Sequence, residues 1–428
     1  MTTRMLNRAL RSPPPSPVKP PERCPYCDSP KIATKGRRPK KLETVRLYHC
    51  HACDRRFTPG PRALRKLKRY MWISQPKNHM SFHPWGRHFG LKLRAACTGL
   101  LVLFLLDGGI AASAATIQTL GIAVTPAHFP RQSGKDVEDM FRLGKQAADA
   151  GIFIYQWSQP DFQDVASKVV AAARSANLIE VVALSPTRLD GTRGEYDLPD
   201  AVRKKAGRNP SFRDQNVNQA FVSDALQLAR LKVPYLCLAT EINFLAFKDI
   251  KEYINFAAVY KQVYAEVKKI SPDTKVFVSF QWDYFDIMDK REPSPAKIKE
   301  HSKLIDIFRP ELDVLAFTSY PSDQFSSPAA IPANYYERIY DHINRSDEVM
   351  FMEIGWPTTG KGNEATQTEF IQRLPALMAN VKPRILAWSL LHDVGSGPLP
   401  GSLGTTGLLD NSGKPKPGFK AFQDLRNK

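Results

Sequence analysis

The chain has 428 residues, of which 43% are hydrophobic and 24% charged, and this composition is ordinary for one large globular domain with attachments. Its net charge is +19, but residues 1–94 alone contain 23 Lys and Arg against 4 Asp and Glu. The rest of the chain is balanced, so the basic character describes an N-terminal segment and does not indicate a nucleic-acid-binding surface on the large domain.

The N-terminal segment begins with a leader and continues into a cysteine motif. Residues 1–22 are rich in proline and basic residues and too poor in apolar side chains to fold, which predicts a disordered leader. Residues 23–60 contain two Cys-x-x-Cys pairs separated by 22 residues: Cys24 and Cys27, then Cys50 and Cys53. Because each pair offers two thiolates from a tight turn, the spacing predicts a structural zinc site. Two unrelated redox or unpaired cysteine pairs are the alternative.

The residues around these cysteines carry a family resemblance. CPYC, KGRR and VRLYHCHACDRRFTPG, with a predicted strand over Thr44–Tyr48, resemble the zinc ribbons at the N-termini of some transposases and related DNA-associated proteins. The resemblance implies one structural zinc ion. A basic spacer of this kind can bind nucleic-acid phosphates, while a solvated face and a protein-docking ribbon remain open.

An apolar segment separates this region from the large domain. Residues 61–94 are a basic linker, and residues 95–115 follow as a signal peptide or membrane anchor. The uninterrupted core Ala95–Leu106 is 12 residues long, which is short for a membrane span and typical of a signal peptide. Ala112–Ala114 resembles a cleavage site, but Asp107 is the one charge up to residue 115, so an uncleaved anchor stays open. A buried core helix is the other alternative.

Either form of this segment predicts export of the large domain. The basic residues that precede it place the N-terminus in the cytoplasm and the large domain across the membrane, so that domain is anchored, secreted or periplasmic. A secretory signal normally lies near the initiator, whereas 94 residues precede this one. Starts at Met71 or Met80 would give conventional signal peptides, and the ribbon would then belong to an upstream reading frame.

Residues 116–428 alternate short apolar runs with amphipathic stretches eight times. The alternation predicts strand–helix units and a parallel sheet, and eight units predict a closed (β/α)8 TIM barrel. A doubly wound open sheet is the alternative, but it usually carries a glycine-rich phosphate loop after its first strand, and this sequence has none there.

The ends of the predicted strands carry the candidate site, because barrel enzymes place their chemistry at the C-terminal face. Aromatic rings stack on sugar faces, and amides and carboxylates bind sugar hydroxyls, so this set favours a carbohydrate over a phosphate ester. The candidates are Gln156 and Trp157 after the second strand, Thr240, Glu241 and Asn243 after the fourth, Gln281 and Trp282 after the fifth, Tyr320 after the sixth, Glu353 and Trp356 at the seventh, and Trp388 at the eighth.

Two of these residues have the chemistry of glycoside hydrolysis. Strands four and seven lie on opposite sides of a barrel mouth, so Glu241 and Glu353 can reach towards each other. Hydrolysis of a glycosidic bond needs one protonated carboxyl group, which donates to the leaving oxygen, and one carboxylate. A separation of roughly 5–5.5 Å is typical of retaining enzymes.

Residues 116–428 also resemble the large glycoside hydrolase clan with an acid/base Glu after strand four and a nucleophile Glu after strand seven. The segment EIGWPTTG from Glu353 resembles the nucleophile segment of the endo-β-1,3-glucanase family, and GLLDNSGKPKP is similar to the ends of many such enzymes. The resemblance implies a retaining hydrolase of β-linked glycans without a cofactor. It implies Glu241 as acid/base and Glu353 as nucleophile, with Tyr320 hydrogen-bonded to the nucleophile and Trp388 as the floor of the adjacent subsite.

One position departs from the clan pattern. An Asn usually precedes the acid/base residue and binds the sugar 2-hydroxyl, but Thr240 stands there and Asn243 lies two residues after Glu241. Either residue takes over the contact, or the subsite is altered. A glycan-binding barrel without catalysis, and a DNA-associated membrane protein that acts through its ribbon, therefore remain alternatives.

Overall fold

The structure is a computed structural model that describes residues 31–40, 43–52, 56–57, 117–190, 192–395, 399 and 402–427. The chain divides into two compact units, residues 1–104 and 105–428. The predicted leader, linker and apolar segment 95–115 lie outside the described residues. Within the described ranges, no helix combines the length and apolar character that a membrane crossing requires.

The first unit contains a small antiparallel sheet. Its strands are β1 (Ile32–Lys40), β2 (Glu43–Cys50) and β3 (Arg56–Phe57), in that order, and β2 includes the predicted strand. Cys50 ends β2, whereas the other three cysteines of the predicted zinc site lie outside the described residues. The described residues alone contain no group of three potential metal ligands, so the zinc site stays a prediction.

The second unit is a parallel barrel. Its described strands form one sheet in the order β8-β7-β6-β5-β4-β12-β11-β10-β9, with every pair parallel. The strands are β4 (Leu120–Ala123), β5 (Ala150–Gln156), β6 (Ile179–Ser185), β7 (Tyr235–Cys237), β8 (Lys275–Phe277), β9 (Ser279–Gln281), β10 (Leu315–Ser319), β11 (Val349–Ile354) and β12 (Ile385–Trp388).

The two end strands of this sheet are halves of one strand. Val278 alone separates β8 from β9, and the chain after β7 continues the pairing across the break: Leu238 N–H donates to Phe277 O at 2.8 Å and Ile242 N–H to Ser279 O at 3.0 Å. The sheet thus closes with eight strand positions, as the predicted (β/α)8 barrel requires. The strands are buried along nearly their whole length, which explains their continuous apolar runs.

Helices connect most of the strands and cover the barrel. The α-helices are α1 (Gly134–Ala147), α2 (Phe162–Ser175), α3 (Asp200–Ala206), α4 (Gln215–Ala229), α5 (Asn243–Lys248), α6 (Ile250–Ile270), α7 (Trp282–Arg291), α8 (Pro295–Asp306), α9 (Glu364–Leu377) and α10 (Pro417–Gln423). Short 3-10 helices span Pro321–Asp323, Pro328–Ala330, Glu337–Asp341, Leu403–Thr405 and Asp424–Asn427.

The sixth strand–helix unit differs from the prediction. The amphipathic stretch that follows the sixth apolar run is Asn334–Arg345, and the alternation predicts a helix there. The connection after β10 is instead built from three 3-10 helices. Two of them start at prolines, at a position where the missing N–H of proline costs no hydrogen bond. Tyr335 and Tyr336 are both buried although adjacent, so the segment packs inwards around its axis and not along one face.

A buried charge network fixes α7 and α8 to this irregular connection. His301 Nδ1 and His342 Nε2 each donate to Asp289 at 2.8 Å, and Arg338 pairs with Asp286 one helical turn before Asp289. Both aspartates are at most 1% exposed. Since α7 directly follows β9, the network holds the fifth strand's C-terminal end in place.

This network predicts an acid-sensitive contribution to stability. Burial alone would raise the pKa of Asp289, but the hydrogen bonds from His342 and His301 hold it below 3.8. The stabilisation is therefore present above that pH and is lost as the pH falls through the lowered pKa. We expect Asp289→Asn to lower the free energy of unfolding at pH 7 by about 2–3 kcal/mol and to flatten its decline in acid. Urea unfolding between pH 3 and 7 measures both effects, with Asp273→Asn, at an exposed aspartate, as the control.

Candidate active site

The backbone at Glu241 has an unusual conformation. Glu241 follows the fourth strand, is 3% exposed and has φ +52°, in the left-handed region that few residues other than glycine adopt. Its N–H donates to Ser279 Oγ at 3.0 Å, so the fifth strand holds this turn. Non-glycine residues in this conformation concentrate at functional sites, where the surrounding structure offsets the strain.

The sixth strand joins Glu241 to Glu353. Thr318 Oγ1 donates to Glu241 Oε1 at 2.7 Å, and Tyr320 Oη donates to Glu353 Oε2 at 2.6 Å. Residues two apart on an extended chain point to the same side and are separated by roughly 7 Å. Both glutamates thus bind neighbouring side chains on one face of one strand.

Arg193 completes the charged cluster, and the sequence analysis missed it. Its Nη1 lies 2.5 Å from Glu241 Oε2, and its guanidinium lies 5.7 Å from the ring centroid of Phe244. Arg193 belongs to the loop between β6 and α3. Its place between Gly191 and Gly194, on a loop that follows a barrel strand, is the sequence feature that could have indicated a functional cation.

Electrostatic coupling connects these three residues. Burial and the charge of Glu241 raise the pKa of Glu353 to about 7, against the opposing effects of the Tyr320 hydrogen bond and the Arg193 charge. For Arg193, burial acts to lower the pKa, but Glu241 and Glu353 raise it. Two carboxyl groups that interact in this way share a single proton near neutral pH.

Asp283 holds Tyr320 in position through hydrogen bonds. Its carboxylate accepts hydrogen bonds from the Tyr320 N–H at 2.7 Å and Ser319 Oγ at 2.9 Å, and it also accepts from Gln281 and Tyr335. Burial raises the pKa of Asp283 to about 6, although these hydrogen bonds oppose the shift. Asp283 was not among the predicted site residues, yet it orients the tyrosine that contacts Glu353.

The predicted polar contacts differ in how far they are available to a ligand. Asn243 is fully buried, and its amide binds the backbone of Gln281 in both directions, at 2.9 and 3.2 Å. Gln281 itself caps α7 by accepting from Tyr284 N–H at 2.9 Å. Thr240 Oγ1 is buried without a partner in the described part of the chain. Of these side chains, Thr240 therefore keeps a hydroxyl group that is not used by another described residue, whereas the Asn243 amide is occupied.

The predicted aromatic residues are covered in this structure. All four indole rings are 0% exposed, and three are fixed by their N–H groups. Trp157 donates to Asp224 and Trp388 to Thr406 O, both at 2.7 Å, and Trp356 donates to Thr366 Oγ1 at 3.2 Å. In this conformation they pack in the core and present no face to a sugar. Gln156 is partly exposed and donates to Asp197 at 3.4 Å. The rings concerned are Trp157, Trp282, Trp356 and Trp388.

Comparison with known proteins identifies the fold. No protein family model and no curated protein sequence matches the chain. Solved structures that are similar include a glycoside hydrolase of family 5, subfamily 18, from Streptomyces cattleya in complex with GlcNAc, with TM-score 0.57, 16% identity, and 73% of this chain and 80% of that chain covered.

Two further similar structures are also glycoside hydrolases. The exo-β-1,4-mannosidase of Opitutaceae bacterium strain TAV5 has TM-score 0.56 and 14% identity, and the match covers 74% of this chain and 61% of that chain. A family 39 glycoside hydrolase of Bacteroides cellulosilyticus WH2 has TM-score 0.50 and 17% identity, with 74% and 64% covered. The match thus spans less than two thirds of both these proteins, and the second unit shares the barrel fold of glycoside hydrolases.

The coupling between the two glutamates can be measured directly. Glu241→Gln removes the charge that raises the pKa of Glu353, so we expect this pKa to fall from about 7 towards the ordinary range of a glutamic acid. Titration of the carboxyl ¹³C chemical shifts reports the change. The matched control is Glu348→Gln, because Glu348 immediately precedes the N-terminal end of β11, whereas Glu353 lies near its C-terminal end. An unchanged Glu353 titration in Glu241→Gln would show that the two carboxyl groups do not interact.

Proposed function

We propose that residues 116–428 form a retaining glycoside hydrolase that cleaves a β-linked glycan, with Glu241 as acid/base and Glu353 as nucleophile. The observation that carries the proposal is that two glutamates, from strands four and seven, bind side chains only two residues apart: Thr318 at the end of strand six and Tyr320 just after it. The barrel fold shared with glycoside hydrolases supports it. No metal or cofactor is assigned to the reaction of the barrel.

The residues present account for both chemical steps of such an enzyme. In the first, ionised Glu353 attacks the anomeric carbon while protonated Glu241 gives its proton to the leaving oxygen, and a glycosyl ester forms on Glu353. In the second, ionised Glu241 takes a proton from water, whose oxygen displaces Glu353 from the anomeric carbon. Tyr320 donates to Glu353 and fixes the attacking carboxylate, and Asp283 fixes Tyr320.

A glycan-binding barrel without catalysis is the second candidate. The departure at Thr240 favours it, because this position usually carries the Asn that binds the sugar 2-hydroxyl next to the acid/base residue. Incubation with β-glucans, β-mannans and β-galactans separates the two candidates. An enzyme releases reducing sugar from at least one glycan, whereas a binding protein shows affinity without turnover.

For the N-terminal region we propose a structural zinc ion held by four cysteines, with export of the barrel through the segment 95–115, as an anchored, secreted or periplasmic domain. Contact with nucleic acid is proposed for the ribbon alone. The β2 strand supports the ribbon because it ends at Cys50, the first cysteine of the second pair. Mapping the N-terminus of the native protein tests whether ribbon and barrel occur on one chain. The proposed zinc ligands are Cys24, Cys27, Cys50 and Cys53.

Substitution of the nucleophile gives the sharpest test of the enzyme assignment. We expect Glu353→Ala to fold normally and to lower kcat by about 10³-fold or more, because no other group can form the glycosyl ester. Reducing-sugar release on the best glycan of the panel measures the loss, and circular dichroism checks the fold. Glu348→Ala should retain activity. Near-normal turnover by Glu353→Ala would contradict the assignment.

The proton shared by the glutamates sets the expected pH dependence. Catalysis needs one proton on the pair, and the pKa of about 7 at Glu353 marks the loss of that last proton. We therefore expect kcat/KM to fall as the pH rises through about 7. Tyr320→Phe removes a hydrogen bond that lowers the pKa of Glu353, so the alkaline limb should move to higher pH while the maximal rate falls. A limb that stays in place would exclude Tyr320 from this role.

A further inference from the structure

We propose that Arg193 is a positioning residue for the acid/base group: it stabilises the carboxylate that Glu241 becomes after its proton has gone to the leaving group. This inference rests on the proposed function and deepens it, because it assigns a task to a residue outside the two-glutamate pattern. The clan resemblance at strands four and seven does not include Arg193.

The donors around the two glutamates are distributed unequally. Both oxygens of Glu241 are occupied, Oε1 by Thr318 at 2.7 Å and Oε2 by Arg193 at 2.5 Å. Glu353 receives one neutral hydrogen bond, from Tyr320. A carboxylate can accept from two donors, whereas a protonated carboxyl group gives up one acceptor position. The arrangement therefore favours ionised Glu241 and leaves the proton of the pair to Glu353.

The loop of Arg193 is anchored on both sides, so the guanidinium is held in place. Thr187 and Tyr196 form a bridge across the base of the loop, and Glu195 pairs with Lys248 of α5 at 2.5 Å. Gly194 has φ +78°, and a Cβ at this position would lie 2.6 Å from Phe244 O. A larger residue there cannot keep the loop against α5. The Arg193 side chain itself is 21% exposed.

The charge that this arrangement stabilises is the one that appears during the first step. Before the reaction Glu353 is ionised and Glu241 carries the proton. As Glu353 bonds to the anomeric carbon, the electron pair of the broken glycosidic bond goes to the leaving oxygen, which takes the proton of Glu241. One negative charge has then moved from Glu353 to Glu241, next to the guanidinium. A cation already in position needs no reorganisation at that moment.

In the free protein the negative charge is thus on Glu241 and the proton on Glu353. The glycosyl-enzyme has the same charge distribution, with the sugar on Glu353 instead of the proton. Binding of substrate must move this proton to Glu241. Positive charge that develops at the anomeric carbon favours ionised Glu353, while the guanidinium, 2.5 Å from Glu241, favours ionised Glu241 once the leaving oxygen has taken the proton. Arg193 therefore matters most where the leaving oxygen needs full protonation.

Leaving groups of different quality test this assignment. A sugar alkoxide leaves only when it is protonated, whereas 2,4-dinitrophenolate leaves without a proton. We expect Arg193→Met to lower kcat/KM by about 100-fold on β-linked gluco-, manno- and galacto-oligosaccharides, and by less than about 5-fold on the 2,4-dinitrophenyl β-glycosides of the same sugars. Turnover of the activated glycosides also shows that the variant is folded. Arg193→Lys should recover part of the oligosaccharide activity, because it keeps the charge.

A second arginine of the same loop provides the control. Arg188→Met changes another arginine of the same loop, which pairs with Asp190 at 2.5 Å, and it should affect neither substrate class. Equal losses of Arg193→Met on both classes would overturn the inference while the proposed function stands, since Arg193 would then act in binding or folding. A wild-type protein that cleaves none of these substrates would overturn the proposed function, and this inference with it.

Discussion

The arrangement of the mouth depends on one constraint: two carboxyl groups interact with each other, one of them buried (Glu241) and one half-buried (Glu353). Such a pair is unfavourable unless a proton or a cation compensates it. Here both occur, since burial and mutual repulsion raise the pKa of Glu353 to about 7 while Arg193 pairs with Glu241. The other features of the mouth hold these groups at fixed distances.

Strand six and Asp283 provide most of this support. Thr318 and Tyr320 bind one glutamate each, so a shift of β10 by one residue would turn both side chains away from the mouth. Asp283 binds the backbone at Tyr320 and starts the α7 region, whose later turns pack through Asp289 against the connection after β10. Supporting contacts of this kind hold the reacting groups in position without a conformational change.

The fold was predictable because parallel barrel strands have a strong sequence pattern. The run before Glu353 is apolar at every position, as a strand buried on both faces must be, and eight such runs alternate with helices. The prediction of a helix after β10 was wrong because two adjacent tyrosines there are both buried, and this packing outweighs a weak local helical preference. No local sequence pattern indicates the interruption of the fifth strand at Val278, between β8 and β9, either.

The candidate site was predictable only in part, for a physical reason. The positions of Glu241 and Glu353 follow from strand order, which alternation reveals. Arg193 reaches Glu241 from a loop, and a loop's path depends on contacts such as the one between Gly194 and Phe244 O that no periodicity encodes. The tryptophans were expected at the mouth because an aromatic residue after a strand looks the same in sequence whether its ring points outwards or into the core.

The left-handed backbone at Glu241 has a consequence for how this protein can change over time. A glycine would adopt φ +52° without steric cost, whereas glutamate holds it against a penalty of about 1 kcal/mol or more. Selection for robustness alone would therefore drive this position away from glutamate, and relatives that have lost their ancestral activity should drift there first. Conservation of glutamate at position 241 among homologues would thus indicate continued selection for its function, at a cost in thermal stability.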